Sequence, residues 1–194
     1  MGLPRRDLEY HTYADYCSWP DDVRYELIDG MAFAMAPAPA RRHQAALLEL
    51  ARQVANILED SPCRPYIAPF DVRLPKTDET DDDVDTVVQP DLVVICDHAK
   101  LDDKGCRGAP DWVVEVLSPS TAGHDQILKR ELYQRVGVRE YWLVHPADRI
   151  VTIYTLNLGR YAMPDVREMV GTLAVSVLPE IMIDWGRVAR ELDD

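Results

Sequence analysis

The 194-residue chain has no apolar run that could cross a membrane, since a spanning helix needs about 20 consecutive apolar residues. Its basic pair, Arg5-Arg6, is not followed by an apolar segment, so the N-terminus is not predicted to be a secretory signal. Internal repeats and low-complexity linkers are also missing. The hydrophobic content of 47% and the charged content of 28% are ordinary for a globular protein. These features predict one domain over residues 1–194, located in the cytoplasm.

The sequence contains no Cys-x-x-Cys pair; its four cysteines, Cys17, Cys63, Cys96 and Cys106, are scattered. In an intracellular chain of this size such cysteines are expected to remain thiols. Cys96, His98 and Cys106 resemble zinc ligands in type, but their spacing matches no standard site and a fourth ligand is missing. A zinc site is therefore not expected.

Positive charge is scarce, and the formal net charge is -13. This balance argues against indiscriminate nucleic-acid binding, which rests on Lys and Arg neutralising phosphates. Segment 78–85 holds six acids and no cation, so it is predicted to be a solvated, mobile loop, and it lacks the glycine and terminal glutamate of a calcium loop. Cations instead surround the candidate site segments described below, where the local field can differ from the net charge. They are Arg41, Arg42, Lys129, Arg130, Arg135 and Arg139.

Sequence patterns predict an α/β or mixed α+β fold. Apolar residues at helical spacing predict a long amphipathic helix over 41–59, and Asp29-Gly30 predicts a hairpin turn between strands 23–28 and 31–35. Pro37 to Pro39 are expected to interrupt regular secondary structure. The other predicted elements are a helix at 13–19, one or two short strands in 65–74, central strands at 87–96 and 111–117, a helix at 122–136, strands at 140–144 and 150–156, weak strands near 161 and 173–177, and a helix at 185–192.

Two acids stand in or beside strongly apolar segments. Glu115 is the only charge in segment 112–117, where a buried carboxylate would lose several kcal/mol of hydration unless a positive group compensated it. Asp91 opens the apolar run 91–96. The two strands are expected to be neighbours, so that both carboxylates could share one Mg²⁺, with the carbonyl of Val116 as a further ligand.

The helix after Glu115 carries Asp125, Lys129 and Tyr133 at four-residue steps, which places them on one face. Lys129 borders the apolar stripe, so its ammonium could reach the metal and orient or deprotonate the attacking water. Structural alternatives remain open at this stage. Asp125 and Lys129 could form a surface ion pair, Glu115 could pair with an arginine, and Asp91 could be an ordinary acid at a strand start.

Several motifs together resemble the Uma-two family of restriction endonucleases, which belongs to the PD-(D/E)xK nuclease superfamily. The resemblance extends from about residue 12 to the C-terminal helix. The matching segments are Gln89–Val94, Trp112–Thr121, Asp125-x-x-x-Lys129-x-x-x-Tyr133 and Gly137–Val144, with Tyr25–Gly30, His43-Gln44 and Ala68–Leu74 in addition.

The resemblance implies a restriction-endonuclease-like core, a mixed sheet flanked by helices with a metal site at one edge. Asp91 would be the first acid of the superfamily and Glu115 the second. The superfamily's lysine usually lies two residues after the second acid, where this chain has Leu117. In the Uma-two pattern the lysine lies on the following helix and corresponds to Lys129.

The resemblance also implies supporting roles for Glu26, as an acid near the metal, and for His43. Alternatives remain: Glu26 could pair with Arg24, His43 could cap or pack against its helix, and Tyr133 could be a packing residue. Ser118 and Ser120 lack a nucleophile setting and are expected to be turn and cap residues.

The sequence therefore predicts a hydrolase, an Mg²⁺-dependent endonuclease acting on DNA, with Mn²⁺ as a possible substitute and no organic cofactor. Asp91, Glu115 and Lys129 would be catalytic, and a homodimer is expected by analogy with the superfamily. One alternative is a catalytically silent nuclease fold that serves as a binding or regulatory module. Another is the hydrolysis of a small phosphate ester, which would need a closed pocket.

Overall fold

The computed structural model describes residues 3–20, 22–35 and 40–193. The interruption of secondary structure predicted at Pro37 to Pro39 lies outside the described residues. The α-helices are α1 Tyr13–Ser18, α2 Arg41–Ile57, α3 Arg130–Val136 and α4 Trp185–Glu191, and a π-helical segment, His124–Lys129, runs directly into α3. The strands are β1 Tyr25–Ile28, β2 Met31–Ala34, β3 Arg64–Ile67, β4 Val72–Arg73, β5 Val87–Val88, β6 Leu92–Ile95, β7 Leu101–Asp102, β8 Gly105–Arg107, β9 Trp112–Val116, β10 Glu140–His145, β11 Ile150–Asn157, β12 Arg160–Tyr161, β13 Asp165–Glu168, β14 Thr172–Val175 and β15 Leu178–Asp184.

A seven-stranded mixed sheet forms the centre of the fold, in the order β12-β11-β10-β9-β6-β3, with β13 also paired to β11. Strands β9 and β10 are parallel, whereas β6 runs antiparallel to β9 with Leu92 opposite Val114. The prediction that the two acid-bearing strands are neighbours is therefore confirmed. Each is an almost continuous apolar run because both faces of the sheet are covered.

The two faces of this sheet pack against different elements. Trp112 and Val114 lie in one core cluster with the apolar sides of α2 and α4, whereas Val113 lies in a second cluster with α3. Side chains alternate along a strand, so Glu115 follows Val113 to the α3 side. A smaller six-stranded sheet, in the order β2-β1-β5-β4-β8-β7, contributes to the second cluster and carries Glu26 in β1.

Many predicted elements agree with the structure. The apolar spacing of 41–59 produces α2, and the Asp29-Gly30 turn joins β1 to β2 with both residues at positive φ, 50° and 76°. Glycine is required at position 30 because a Cβ there would lie 2.2 Å from the Tyr10 ring. No helix in the described ranges combines the length and apolar character needed to span a membrane.

The prediction of one central strand over 87–96 is wrong. Residues 87–88 form β5 in the small sheet, and residues 92–95 form β6 in the central sheet. Pro90 lies between them and has no N–H to continue a ladder, which explains why the strand ends there. Strands β7 and β8 lie in a polar segment and β13 is exposed along its whole length, so these three strands were not predicted. Strand β15 was also not predicted.

The prediction of a solvated acidic loop over 78–85 is wrong for Asp81 and Asp85, whereas Asp78, Asp82 and Asp83 are exposed. Residues 81–83 form a 3₁₀ turn, and Asp81 is paired with the buried Arg73 and with Arg107. Asp85 is buried and lies 2.6 Å from Lys76 Nζ. The compensating cations come from outside the segment, so a count of local charges does not detect them.

The prediction that all four cysteines are thiols is wrong for two of them, since Cys63 and Cys96 form a disulfide. The antiparallel register of β3 and β6 pairs Arg64 with Ile95, which places the cysteines opposite each other one step further along. This pairing depends on a register that cysteine spacing does not reveal. The free thiols are Cys17 and Cys106.

We predict that Asp85→Asn destabilises the protein by about 1–3 kcal/mol at neutral pH, because the carboxylate accepts hydrogen bonds from Tyr10 and Lys76. Burial raises the pKa of Asp85, but these bonds and the Lys76 charge outweigh it and lower the pKa. A carboxyl with a lowered pKa contributes stability above its unfolded pKa, about 3.9, and loses it as the pH falls through the folded value.

Urea unfolding of wild type and Asp85→Asn should therefore show a large difference at about pH 7 that shrinks below about pH 4. Asp82→Asn is the matched control, because Asp82 lies in the same segment and is exposed. An Asp85→Asn variant as stable as the Asp82→Asn variant at neutral pH would contradict this interpretation.

Candidate active site

The site begins at the edge of the central sheet, where Asp91 precedes β6 and Glu115 lies near the end of β9. The antiparallel register brings the two residues opposite each other. The N–H of Val116 donates to Asp91 Oδ2 at 2.7 Å, and the N–H of Asp91 points to Glu115 Oε2 at 3.4 Å. The backbone of both strands therefore holds the two carboxylates side by side.

Lys129 supplies the positive group that the buried Glu115 requires. Its Nζ lies 2.9 Å from Glu115 Oε1, 2.8 Å from Glu26 Oε1 and 3.7 Å from Asp125 Oδ1. All four side chains are at most 5% exposed. We call Glu26, Glu115, Asp125 and Lys129 the buried charge cluster. The alternative of an exposed Asp125–Lys129 ion pair is therefore wrong.

The π-helical segment determines which side chains reach this cluster. The backbone hydrogen bonds of a π-helix join residues five apart, so such residues lie little more than one turn apart and much nearer the same side than in an α-helix, as His124 and Lys129 do here. Both contact Glu26, with His124 Nε2 at 3.2 Å from Oε2, and the N–H of Gln89 donates to Oε1 at 2.9 Å. His124 was not predicted as a site residue, because α-helical spacing turns it away from Lys129.

The charges of the cluster shift the pKa values in opposite directions. Burial alone raises the pKa of Glu26, but the Lys129 charge and the His124 hydrogen bond outweigh it and lower the pKa to about 2. Burial raises the pKa of Glu115 well above its ordinary value, and the Lys129 charge opposes this only in part, because Asp125, Asp91 and Glu26 repel a further negative charge. The carboxylates around Glu115 thus outnumber the available cations.

Lys129 stays charged at neutral pH. Burial acts to lower its pKa, but the surrounding Glu115, Glu26 and Asp125 carboxylates outweigh it and raise the pKa well above 10.5. An ammonium with a raised pKa donates hydrogen bonds and does not accept a proton from water near pH 7.

The remaining predicted site residues lie at the edges of the cluster. Tyr133 OH donates to Glu115 Oε1 at 3.0 Å, and His43 Nε2 lies 3.2 Å from Asp91 Oδ2. Tyr133 is fully buried, and burial followed by the Glu115 charge raises the pKa of its hydroxyl. The structure thus gathers the predicted residues around one point, while their catalytic roles remain predictions.

A cleft of about 340 Å³ opens onto Asp91, Glu115 and Lys129. Its walls include the start of α2, segment 118–121 and the residue before β1. Of the six cations expected around the site, only Lys129 lines the cleft, and Arg135 and Arg139 are paired with acids elsewhere. Arg24 lines the cleft but was not among the predicted cations.

The donor chemistry fits a hard divalent cation held by two carboxylates. Asp91 and Glu115 are oxygen donors beside an open cleft, and Mg²⁺ commonly uses one or two carboxylates and keeps several waters. Within residues 3–20, 22–35 and 40–193, no three His, Cys, Asp or Glu side chains are arranged as a ready metal cage. Both oxygens of Glu26 are engaged by Lys129, His124 and Gln89, so its contact with a metal remains a prediction. The contact of the Val116 carbonyl with a metal also remains a prediction.

Comparison with known proteins agrees with this geometry. The sequence model of Uma2, described as "Putative restriction endonuclease", matches residues 11–186. The chain belongs to the Uma2 family. This membership confirms the family resemblance seen in the motifs, and the family description supports a restriction-endonuclease-like nuclease.

Two individual proteins are similar to this Uma2 chain. The uncharacterised protein slr1290 of Synechocystis sp. is 26% identical over 146 residues, which are 74% of this chain and 73% of that protein. A crystal structure from Anabaena variabilis, described as "a putative nuclease belonging to DUF820", superposes with a TM-score of 0.73 at 19% identity, over 93% of this chain and 98% of the other. This likeness confirms the mixed α and β fold.

We predict that Lys129→Met lowers the free energy of unfolding by about 3–5 kcal/mol, because it leaves Glu26, Glu115 and Asp125 buried without their cation. Adding Glu26→Gln to that variant should restore part of the loss, since it removes one uncompensated charge. Denaturant unfolding of the wild type, the two single variants and the double variant measures this coupling. Purely additive single-variant effects would show that the two residues do not interact as described.

Proposed function

We propose that this protein is a divalent-metal-dependent endonuclease that hydrolyses phosphodiester bonds in DNA. The observation that carries the proposal is the convergence of Asp91, Glu115 and Lys129 at one cleft, with Lys129 Nζ 2.9 Å from Glu115. Membership of a family described as restriction endonucleases supports a nucleic-acid substrate and DNA in particular. The elements are proposed to form one catalytic domain over residues 1–194.

Asp91 and Glu115 would hold Mg²⁺ or Mn²⁺. A divalent cation bound there supplies Lewis-acid stabilisation of charge on a phosphate and activation of water. The excess of carboxylates beside Glu115 supports this assignment, because a cation in the cleft would relieve the repulsion among them.

Lys129 would act as a fixed ammonium that donates to the attacking water or to a phosphate oxygen. Its raised pKa favours this role over that of a general base, which was one of the two roles inferred from the sequence. Glu26, which is itself in contact with His124, helps to keep the ammonium in place. Tyr133 and His43 would orient Glu115 and Asp91 respectively.

A homodimer is proposed for double-stranded cleavage, since two strands call for two sites. The catalytically silent module remains a second candidate. The observation that favours it is that Lys129 Nζ is already surrounded by three carboxylates, an arrangement that also serves a purely structural ion cluster. This candidate predicts a folded protein that binds nucleic acid without cutting it.

The decisive variant is Asp91→Asn, which keeps an oxygen acceptor for the Val116 N–H but removes the charge. We expect it to fold normally and to lower cleavage at least about 100-fold, because charge stabilisation at the phosphate is lost. The measurement is cleavage of supercoiled plasmid and of single-stranded circular DNA with Mg²⁺ or Mn²⁺.

Asp82→Asn is the matched control, because Asp82 is an exposed acid outside the cleft. The charge-balanced double variant Lys129→Met/Glu26→Gln tests the ammonium separately, and it should be inactive although folded. The proposal is wrong if wild type cuts no nucleic acid with either metal, or if Asp91→Asn cuts as well as wild type.

A further inference from the structure

The negative charge of the cleft would repel a phosphodiester. Four acids line it, Glu26, Asp91, Glu115 and Asp125, and the one lysine among its lining residues is already shared by three of them. A bound divalent cation would offset part of this charge at the scissile phosphate. The neighbouring phosphates of a nucleic-acid strand would still face a negative wall unless another cation met them.

Arg24 is a cation placed to do this. It lines the same cleft, and it precedes Glu26 by two residues, which puts the two side chains on the same side of an extended chain. Residues two apart in a strand are separated by about 7 Å. No carboxylate of the described ranges lies within ion-pair distance of Arg24, and its side chain is exposed.

Gln89 orients the Arg24 guanidinium by hydrogen bonding. Its Oε1 accepts from Arg24 Nε at 3.0 Å and also from Nη2. Its Nε2 donates to Tyr16 OH at 3.0 Å and to Asp71 Oδ1 at 2.8 Å, so the orientation of the amide is fixed by its partners. Gln89 is buried and lies two residues before Asp91.

This arrangement leaves much of the guanidinium free for a ligand. Gln89 engages Nε and Nη2 and brings no charge, so the positive charge of Arg24 is oriented but not neutralised. A guanidinium presents five N–H donors in a planar fork, and this fork matches the oxygens of a phosphate. The buried Arg73 differs in this respect, because it is paired with Asp102 at 2.6 Å and its charge is compensated.

We infer that Arg24 is a substrate-binding residue that holds a backbone phosphate adjacent to the scissile one. The inference rests on the proposed function in that it assumes a nucleic-acid strand lying in the cleft. Arg24 would thus act in addition to the metal-binding acids and the Lys129 ammonium, and Gln89 would position it.

The test is equilibrium binding of a fluorescein-labelled twelve-residue oligothymidylate, followed by anisotropy in EDTA so that no cleavage occurs. Arg24→Gln should weaken binding about tenfold at low salt and reduce the slope of log K against log salt by roughly 0.7, the value for one phosphate contact on a single strand. Arg24→Lys should give an intermediate loss, because it keeps the charge but not the fork.

Arg160→Gln is the matched control, since Arg160 is an exposed arginine of β12 outside the cleft and the change removes the same charge. Thermal unfolding of each variant checks the fold. In cleavage assays Arg24→Gln should raise KM with little change in kcat, whereas Asp91→Asn lowers kcat.

The inference is overturned if Arg24→Gln binds the oligonucleotide as the Arg160→Gln control does, or if wild type does not bind it at any salt concentration. The outcomes also separate the two proposals. Cleavage by wild type with no Arg24 effect would leave the nuclease proposal standing and remove the role of Arg24. Arg24-dependent binding without any cleavage would support phosphate binding and remove the nuclease proposal.

Discussion

The site depends on one buried lysine. Lys129 Nζ is within 4 Å of three carboxylates that come from β1, β9 and the π-helical segment, so this single ammonium connects both sheets with the helical segment. A charge this deeply buried is costly unless its partners are fixed, and here two of the three partners are fixed in turn. Glu26 is held by His124 and the Gln89 N–H, and Glu115 by Tyr133.

The same cluster explains why a metal-dependent reaction fits the cleft. Lys129 and His124 together outweigh the burial of Glu26, as the lowered pKa of that acid shows, whereas Lys129 compensates Glu115 only in part. Asp91 adds a further carboxylate on the neighbouring strand, at the open side. The arrangement therefore separates a neutralised inner side from an outer side with surplus negative charge, where a divalent cation and a phosphate would meet.

The sequence predicted what depends on local pattern or on simple chemistry. The spacing of apolar residues defined α2, the Asp29-Gly30 pair defined the hairpin, and the single charge in β9 indicated that Glu115 needed a positive partner. The family resemblance then indicated Lys129 as that partner, because Leu117 occupies the position where the superfamily usually has its lysine. Each of these inferences needs only a few neighbouring residues or one recognisable motif.

What escaped prediction depends on long-range pairing or on an unusual backbone. The π-helical turn brings His124 to Glu26, and α-helical spacing gives no sign of it. The partners of Asp81 and Asp85 and the pairing of Cys63 with Cys96 follow from strand register and loop packing. The contact between Arg24 and Gln89 joins residues 65 positions apart, so the placement of this cation at the cleft could be found only from the structure.

The central claim is that Asp91 and Glu115 hold a divalent ion beside the Lys129 ammonium. The most direct measurement is a crystal structure of the protein soaked in Mn²⁺, with anomalous difference maps calculated at a wavelength where manganese scatters anomalously. The account predicts one strong peak between the Asp91 and Glu115 carboxylates, with the lysine still in contact with Glu26. A saturating soak without a peak there, or with those two carboxylates directed to separate surfaces, would contradict it.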